Sequence, residues 1–218
     1  MIKNKLLEGD IFYVNYNEKY IFGRVLLDVS ERVLKVEGKN SMWGLTGCYM
    51  VAVYEGVYDK PILESDEYII PSAYTYKKYF YSKRNKLDWH FYKHEKVDYK
   101  QLIFPESILD AEKGISFISG ELEIPISITR EQYDKGGEFD IKRTIQGSYY
   151  TIIKYALYYQ NREDLIEGFT PAILYDKQNL HFNLPARGKV YKMVNEDSSQ
   201  SYYELALKYG FDLGRFYK

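Results

Sequence analysis

Residues typical of β-strands dominate the first quarter of the chain. In the run 11–16 the positions divide into two faces of a strand, with Ile11, Tyr13 and Asn15 on one and Phe12, Val14 and Tyr16 on the other. A second such run, 20–27, follows the short polar break 17–19, which predicts a hairpin. Residues 33–36 and 49–54 have similar composition. We therefore predict four short strands within the first 54 residues.

Two further features belong to this β-rich part. Gly23 interrupts the second run, and a glycine inside a strand usually marks a bulge or a close approach to the backbone. In residues 87–92, apolar and more polar side chains alternate, which predicts another strand.

The pattern changes after Gly136-Gly137, our candidate hinge. An apolar stripe with helical spacing predicts a helix over 148–160, and Ser201 with Glu204 forms a capping box that begins a second helix over 201–209, ended by Gly210. Residues 169–194 suggest one or two strands around a proline. We predict an α+β protein, mainly antiparallel sheet in a domain 1–138, followed by a mixed α/β region 139–218 with two short helices, which could pack with the first as one domain.

Composition and length limit the possible ligands and the cellular location of the protein. The 218 residues carry 30 basic and 31 acidic side chains, a net charge of -1, so the whole molecule lacks the positive field of general nucleic-acid binding. Cys48 is the single cysteine, which favours a reducing compartment. The N-terminus does not read as a secretory signal, and each apolar run is far shorter than the roughly 20 residues of a membrane span. We expect a cytoplasmic protein without membrane contact.

Charge and tyrosine are unevenly distributed. Residues 77–100 contain eight basic and three acidic side chains, whereas residues 106–138 contain eight acidic and three basic ones. The chain also has 25 tyrosines. Most tyrosines in a sheet-rich protein pack within the fold, but their excess mildly favours a contact surface for another protein.

Several kinds of chemistry have weak support. His90 and His94 have the spacing of a zinc motif on a helix, but Phe91 stands where that motif has glutamate, so we predict no metal and no cofactor. The basic aromatic stretch 74–84 could bind single-stranded nucleic acid, although the acidic segment nearby could fold against it. No nucleophile elbow, phosphate loop or dinucleotide motif occurs, so we predict no catalytic residues and no enzyme.

The first hairpin resembles a known family. Gly9-Asp-Ile-Phe12, followed by Tyr20-Ile-Phe-Gly-Arg-Val25 and the strand Val51-Ala-Val-Tyr54, is similar to the opening of the bacterial immunity protein 26 family. The resemblance identifies Gly9, Asp10, Phe12, Gly23 and Arg24 as motif residues. It implies an antidote of a polymorphic toxin system, which binds a cognate toxin domain. For Gly23 and Arg24 we favour roles in hairpin geometry and an internal ion pair with Asp10.

The resemblance leads to two hypotheses about function. The first is an immunity protein that neutralises its toxin by occluding the active site; the alternative is a small hydrolase or nucleic-acid-modifying enzyme with dispersed catalytic residues. Because toxins that cut nucleic acid have basic clefts, an acidic surface of the antidote would complement them. The candidate interface residues, treated as exposed, are Glu121, Glu123, Glu131 and Asp134, with Tyr74, Tyr76, Tyr79 and Tyr81 as a second choice.

Overall fold

The computed structural model describes residues 5–36, 41–81, 87–111, 114–135, 137–139, 141, 146–168 and 179–218. Its strands are β1 (Asp10–Tyr16), β2 (Lys19–Asp28), β3 (Cys48–Tyr54), β4 (Tyr68–Tyr76), β5 (Trp89–His94), β6 (Glu106–Ala111), β7 (Gly114–Ser119), β8 (Leu122–Pro125) and β9 (Gln146–Gly147). Its α-helices are α1 (Val29–Val33), α2 (Lys77–Tyr81), α3 (Arg130–Lys135), α4 (Tyr149–Tyr159), α5 (Leu184–Met193) and α6 (Tyr202–Lys208).

The chain forms two compact units, and each unit collects segments that are distant in sequence. The first comprises Met1–Leu34, Leu45–Val97 and Gln146–Ala172. The second comprises Lys35–Gly44, Asp98–Ile145 and Ile173–Lys218. Helix α4 therefore belongs to the same unit as the N-terminal strands.

The first unit is built on a six-stranded sheet with the order β5-β1-β2-β3-β4-β9. Neighbouring strands from β5 to β4 are antiparallel, and the short β9 pairs with β4 in parallel. One face of this sheet packs against α4. There Phe12 contacts Tyr149 and Phe80, and the helix buries Ile152, Ile153 and Leu157.

The second unit contains a three-stranded antiparallel sheet with the order β6-β7-β8. At the start of β6, the buried carboxylate of Glu106 accepts hydrogen bonds from Arg187 Nε at 2.7 Å, Arg187 Nη2 at 2.8 Å and the Tyr191 hydroxyl at 2.8 Å. The bidentate geometry joins β6 to α5 by charge-assisted hydrogen bonds.

The α+β class is confirmed, as are the first hairpin, the strand at 49–54, the strand near 87–92 and both predicted helices. The capping box has the predicted form, because Glu204 N donates to Ser201 Oγ at 3.2 Å and Ser201 N donates to Glu204 Oε2 at 2.9 Å. Gly210 follows α6 with a φ of +85°.

Two predicted strands are wrong. Residues 33–36 end α1 and continue as a turn, because Asp28 begins that helix by accepting a hydrogen bond from Glu31 N at 3.1 Å. The proline expected within a strand, Pro185, lies in the first turn of α5, where its missing N–H costs no hydrogen bond. The rest of that prediction, 169–178, lies outside the described residues, as does Gly136 of the candidate hinge.

None of the helices in the described ranges combines the length and apolar character that a membrane crossing requires.

Candidate functional site

The face of the first sheet opposite α4 carries a group of half-buried tyrosines, which we call the tyrosine face. They pack around the buried residues Ile11, Phe22 and Tyr54. The members of the tyrosine face are Tyr13, Tyr20, Tyr58, Tyr68 and Tyr92. Large rings that are fixed by neighbours yet half-exposed are well suited to contact another molecule.

Strand alternation and register explain how these rings come together. Successive side chains of a strand point to opposite faces, so Tyr13 lies on the side opposite Phe12. Tyr13 on β1 is paired with Phe22 on β2 and, on the other side of β1, with His90 on β5. Cross-strand partners project to the same face, which collects aromatic side chains from β1, β2 and β5.

The rings contact one another in defined geometries. The centroid of Tyr13 lies 5.5 Å from that of Tyr20 and 5.1 Å from that of His90, and the His90 ring is stacked on it at 20°. Phe22 makes an edge contact with Tyr92 at 5.1 Å. Partial burial, with Tyr20 and Asp88 adding to it, raises the pKa of Tyr13, so this phenol is neutral at physiological pH.

An acidic loop, residues 55–67, borders the tyrosine face. It carries five carboxylates and one lysine, all on exposed residues: Glu55, Asp59, Glu64, Asp66, Glu67 and Lys60. The loop is fixed at both ends, because Glu55 N donates to Glu67 O at 2.8 Å and Gly56 N donates to Gln160 Oε1 at 2.6 Å. The Tyr58 hydroxyl donates to Glu55 O at 2.7 Å and accepts from Ser65 N at 3.3 Å.

A cavity of about 450 Å³ lies between this loop and the sheet. Its lining comes from the loop, from the four strands β2 to β5 and from the residue that follows β5: Arg24, Tyr54, Leu63, Glu64, Ser65, Asp66, Tyr68, Lys93 and Glu95. The volume falls within the range of small-ligand pockets in proteins. The rings of Tyr54 and Tyr68 lie 4.7 Å apart and form its aromatic wall.

Arg24 fixes one side of the cavity. Its Nη1 donates to the Tyr68 hydroxyl at 3.2 Å, and its Nη2 donates to the carbonyls of Glu95 and Lys96 at 3.1 Å each. The guanidinium therefore joins β2 to β4 and to the end of β5. Beside it, the Lys93 ammonium lies 2.7 Å from a Glu95 carboxylate oxygen; this contact raises the pKa of Lys93 and lowers the pKa of Glu95.

The acidic residues singled out from the sequence have different surroundings. Glu121 is not an exposed charge: it is buried in the turn before β8 and forms an ion pair with Arg215. Glu123 is half-buried on β8. Glu131 and Asp134 are exposed on α3, where Glu131 pairs with Lys135 and Asp134 with Arg130. Whether any of them binds a partner stays a prediction.

The tyrosines of the second choice lie on β4 and α2. Tyr74 is buried, and Tyr76 and Tyr79 are half-buried and meet edge to face at 6.0 Å. Tyr81 is exposed, but its hydroxyl accepts from Leu6 N at 2.9 Å and lies 3.0 Å from the Tyr49 hydroxyl. None of these four belongs to the tyrosine face.

The family-motif residues have mostly architectural positions. Gly9 has a φ of +88°, which favours glycine, and Phe12 and Gly23 lie under α4. Asp10 is buried; one carboxylate oxygen lies 3.0 Å from His94 Nδ1, and the other accepts from Leu7 N at 2.7 Å. The ion pair expected between Arg24 and Asp10 is wrong: the carboxylate beside Arg24 is that of Glu95, at 3.9 Å, and Asp10 contacts His94 instead.

Sequence reasoning missed the tyrosine face and its acidic border. The available signal was the alternation within the hairpin, because Tyr13, Tyr20 and Phe22 lie on the same face of the sheet once the two strands are paired. Among the described residues, no group of three or more His, Cys, Asp and Glu side chains could hold a metal ion.

A scan against protein-family models, a search of curated proteins and a search of solved structures each found no match.

Proposed function

We propose that the chain is an immunity-type protein that binds a cognate toxin domain through the tyrosine face and occludes the toxin's active site. The single observation that carries this proposal is the cluster of half-buried tyrosines bordered by an ordered acidic loop. Tyrosine supplies large contact area with few rotatable bonds, so a packed group of them loses little entropy on binding. The resemblance of the first hairpin to the immunity protein family also supports binding to a toxin domain.

The charge of the border supports a basic partner. Glu64, Asp66 and Glu67 are exposed at one end of the loop, close to the cavity. Carboxylates on a rim steer a positively charged partner and increase the association rate. They would also repel phosphate, which favours a protein over a nucleic acid as the ligand.

Co-expression tests the function directly. The proposal predicts that a toxin domain is encoded beside this chain. That domain should kill cells when expressed alone and spare them when this chain is present, and the two proteins should co-purify. Failure of both protection and co-purification would overturn the proposal.

Variants then test the place of contact. Tyr13→Ala and Tyr92→Ala should each weaken toxin binding at least tenfold, the effect expected of an aromatic hot spot. Tyr79→Ala is the matched control, because it removes an equally half-buried ring elsewhere in the same unit. Melting temperatures identify any variant that has unfolded. If Tyr79→Ala weakened binding and the other two did not, contact would lie at the stretch chosen from sequence.

A further inference from the structure

We infer that the cavity beside Arg24 receives a lysine or arginine side chain of the bound partner. This inference rests on the proposed function, since it names the partner group that the site would hold. It starts from the lining of the 450 Å³ cavity, which combines two cations with three carboxylates and two aromatic rings in tilted contact.

The two cations of the lining already have partners. Arg24 uses both Nη atoms in hydrogen bonds to Tyr68, Glu95 and Lys96, and Lys93 is paired with Glu95. The Arg24 Nε has no hydrogen-bond partner among the described residues, but it is buried and so out of reach of an incoming anion. An incoming anion would have to compete with these contacts. The basic groups are therefore part of the wall of the cavity.

Two carboxylates of the acidic loop remain available. Glu64 and Asp66 are exposed, and neither side chain forms an ion pair with any residue in the described part of the chain. Their backbone is held in place, because Ser65 between them bonds to Tyr58 through its N–H and accepts from Glu67 N at 3.2 Å through its hydroxyl. Two carboxylates on a backbone held in this way can accept a guanidinium or ammonium without reorganising the loop.

The aromatic wall suits the same ligand. The rings of Tyr54 and Tyr68 line the cavity beside Leu63, so they can cover the aliphatic stem of a long basic side chain. A cation over the flat side of a tyrosine ring gains a further attraction from the π-electrons of that ring. The aromatic wall, the two carboxylates and the cavity volume together suit lysine or arginine better than an acidic or a short polar side chain.

The test uses the full chain alone with capped tripeptides, so it does not depend on whether a toxin is found. Acetyl-glycyl-arginyl-glycine amide and its lysyl counterpart are titrated in NMR experiments that follow the amides of Ser65 and Glu95. The cationic peptides should shift both signals, and the matching glutamyl peptide should not. The double variant Glu64→Gln/Asp66→Asn should weaken binding about tenfold, as expected for two partly exposed charge pairs.

The control is Glu131→Gln/Asp134→Asn, which makes the same charge change on α3 and should leave peptide binding unchanged. Absence of shifts with both cationic peptides, or equal binding by the Glu64→Gln/Asp66→Asn variant, would overturn the inference. Binding of free arginine but not of the capped peptide would also overturn it, because the cavity would then recognise a free amino acid. Toxin protection that survives any of these results would leave the proposed function intact.

Discussion

The hydroxyl of Tyr149 occupies the space that a β-carbon at Gly23 would need. A methyl group at that position would overlap the Tyr149 Oη and lie 2.9 Å from Phe12 Cζ. The glycine of the strand and the first residue of α4 thus fit together, which explains why the strand lacks a side chain there. The sequence signal at Gly23 indicated a close approach, and the approaching group is a side chain from a helix over a hundred residues later.

Gly23→Ala should therefore lower the free energy of unfolding by about 2 kcal/mol, within the usual range for overpacking a core. Urea unfolding measures this loss. The Tyr149 hydroxyl is buried and has no hydrogen-bond partner among the described residues, so adding Tyr149→Phe should restore part of the stability by removing the overlap. Gly188→Ala on α5, where a β-carbon meets nothing within 4 Å, should be neutral or stabilising. Equal losses for both alanine variants would contradict this account.

The buried pair of Glu106 and Arg187 predicts a large effect from removing one partner. Arg187→Met should cost about 3–5 kcal/mol, because it leaves a carboxylate buried with only the Tyr191 hydroxyl as a strong donor. The double variant Glu106→Gln/Arg187→Met should be more stable than the single one.

Arg130→Met is the control for this pair. It breaks the exposed contacts with Asp110 and Asp134 and should leave the stability nearly unchanged, because exposed ion pairs contribute little. Chemical denaturation of the three variants gives the comparison, and similar losses for Arg187→Met and Arg130→Met would show that burial does not set the cost.

Glu121 and Glu131 should respond differently to charge reversal, although both belong to the acidic segment. Glu121→Lys places a cation beside Arg215 in a buried position and should destabilise the protein by several kcal/mol, about 3–5. Glu131→Lys on exposed α3 should change stability by less than about 1 kcal/mol. Melting curves of the two variants decide the matter, and a stable Glu121→Lys variant would argue against the ion pair with Arg215.

The secondary structure could be predicted from the sequence only in part. Local patterns were sufficient for the first hairpin and for α4 and α6, because period and capping residues act within a few positions. They failed at α1, where the side chain of Asp28 begins a helix within a segment rich in β-branched residues. Such a local hydrogen bond outweighs a weak strand preference.

The site depended on contacts that no local pattern contains. Glu121 meets Arg215 across 94 positions, so its burial could not be deduced from the acidic run around it. Tyr13, Tyr68 and Tyr92 come from three separate strands and meet only through sheet order. Composition indicated that tyrosine mattered, but only the register of the sheet determined which tyrosines share a face.

Cys48 should be unreactive in the folded protein. Burial raises the pKa of its thiol to about 11, so at pH 8 only about one molecule in a thousand is in the thiolate form that reacts. Iodoacetamide should label Cys48 slowly in buffer and rapidly in denaturant, with glutathione as the control for reagent activity. Labelling in buffer at the rate of glutathione would contradict the buried position.

His181 should make the protein less stable as pH falls. Burial lowers the pKa of this imidazole in the folded state, with the nearby charges of Glu106 and Arg187 opposing each other, and its Nδ1 is buried without a hydrogen-bond partner among the described residues. Below about pH 6.5 the unfolded chain binds a proton at this position before the folded chain does, so unfolding becomes more favourable there by up to about 1.4 kcal/mol per pH unit. Urea unfolding at several pH values between 7.5 and 5.5 measures the slope. His181→Phe, which keeps a ring but cannot titrate, should flatten it. An unchanged slope in His181→Phe would assign the pH dependence to other groups.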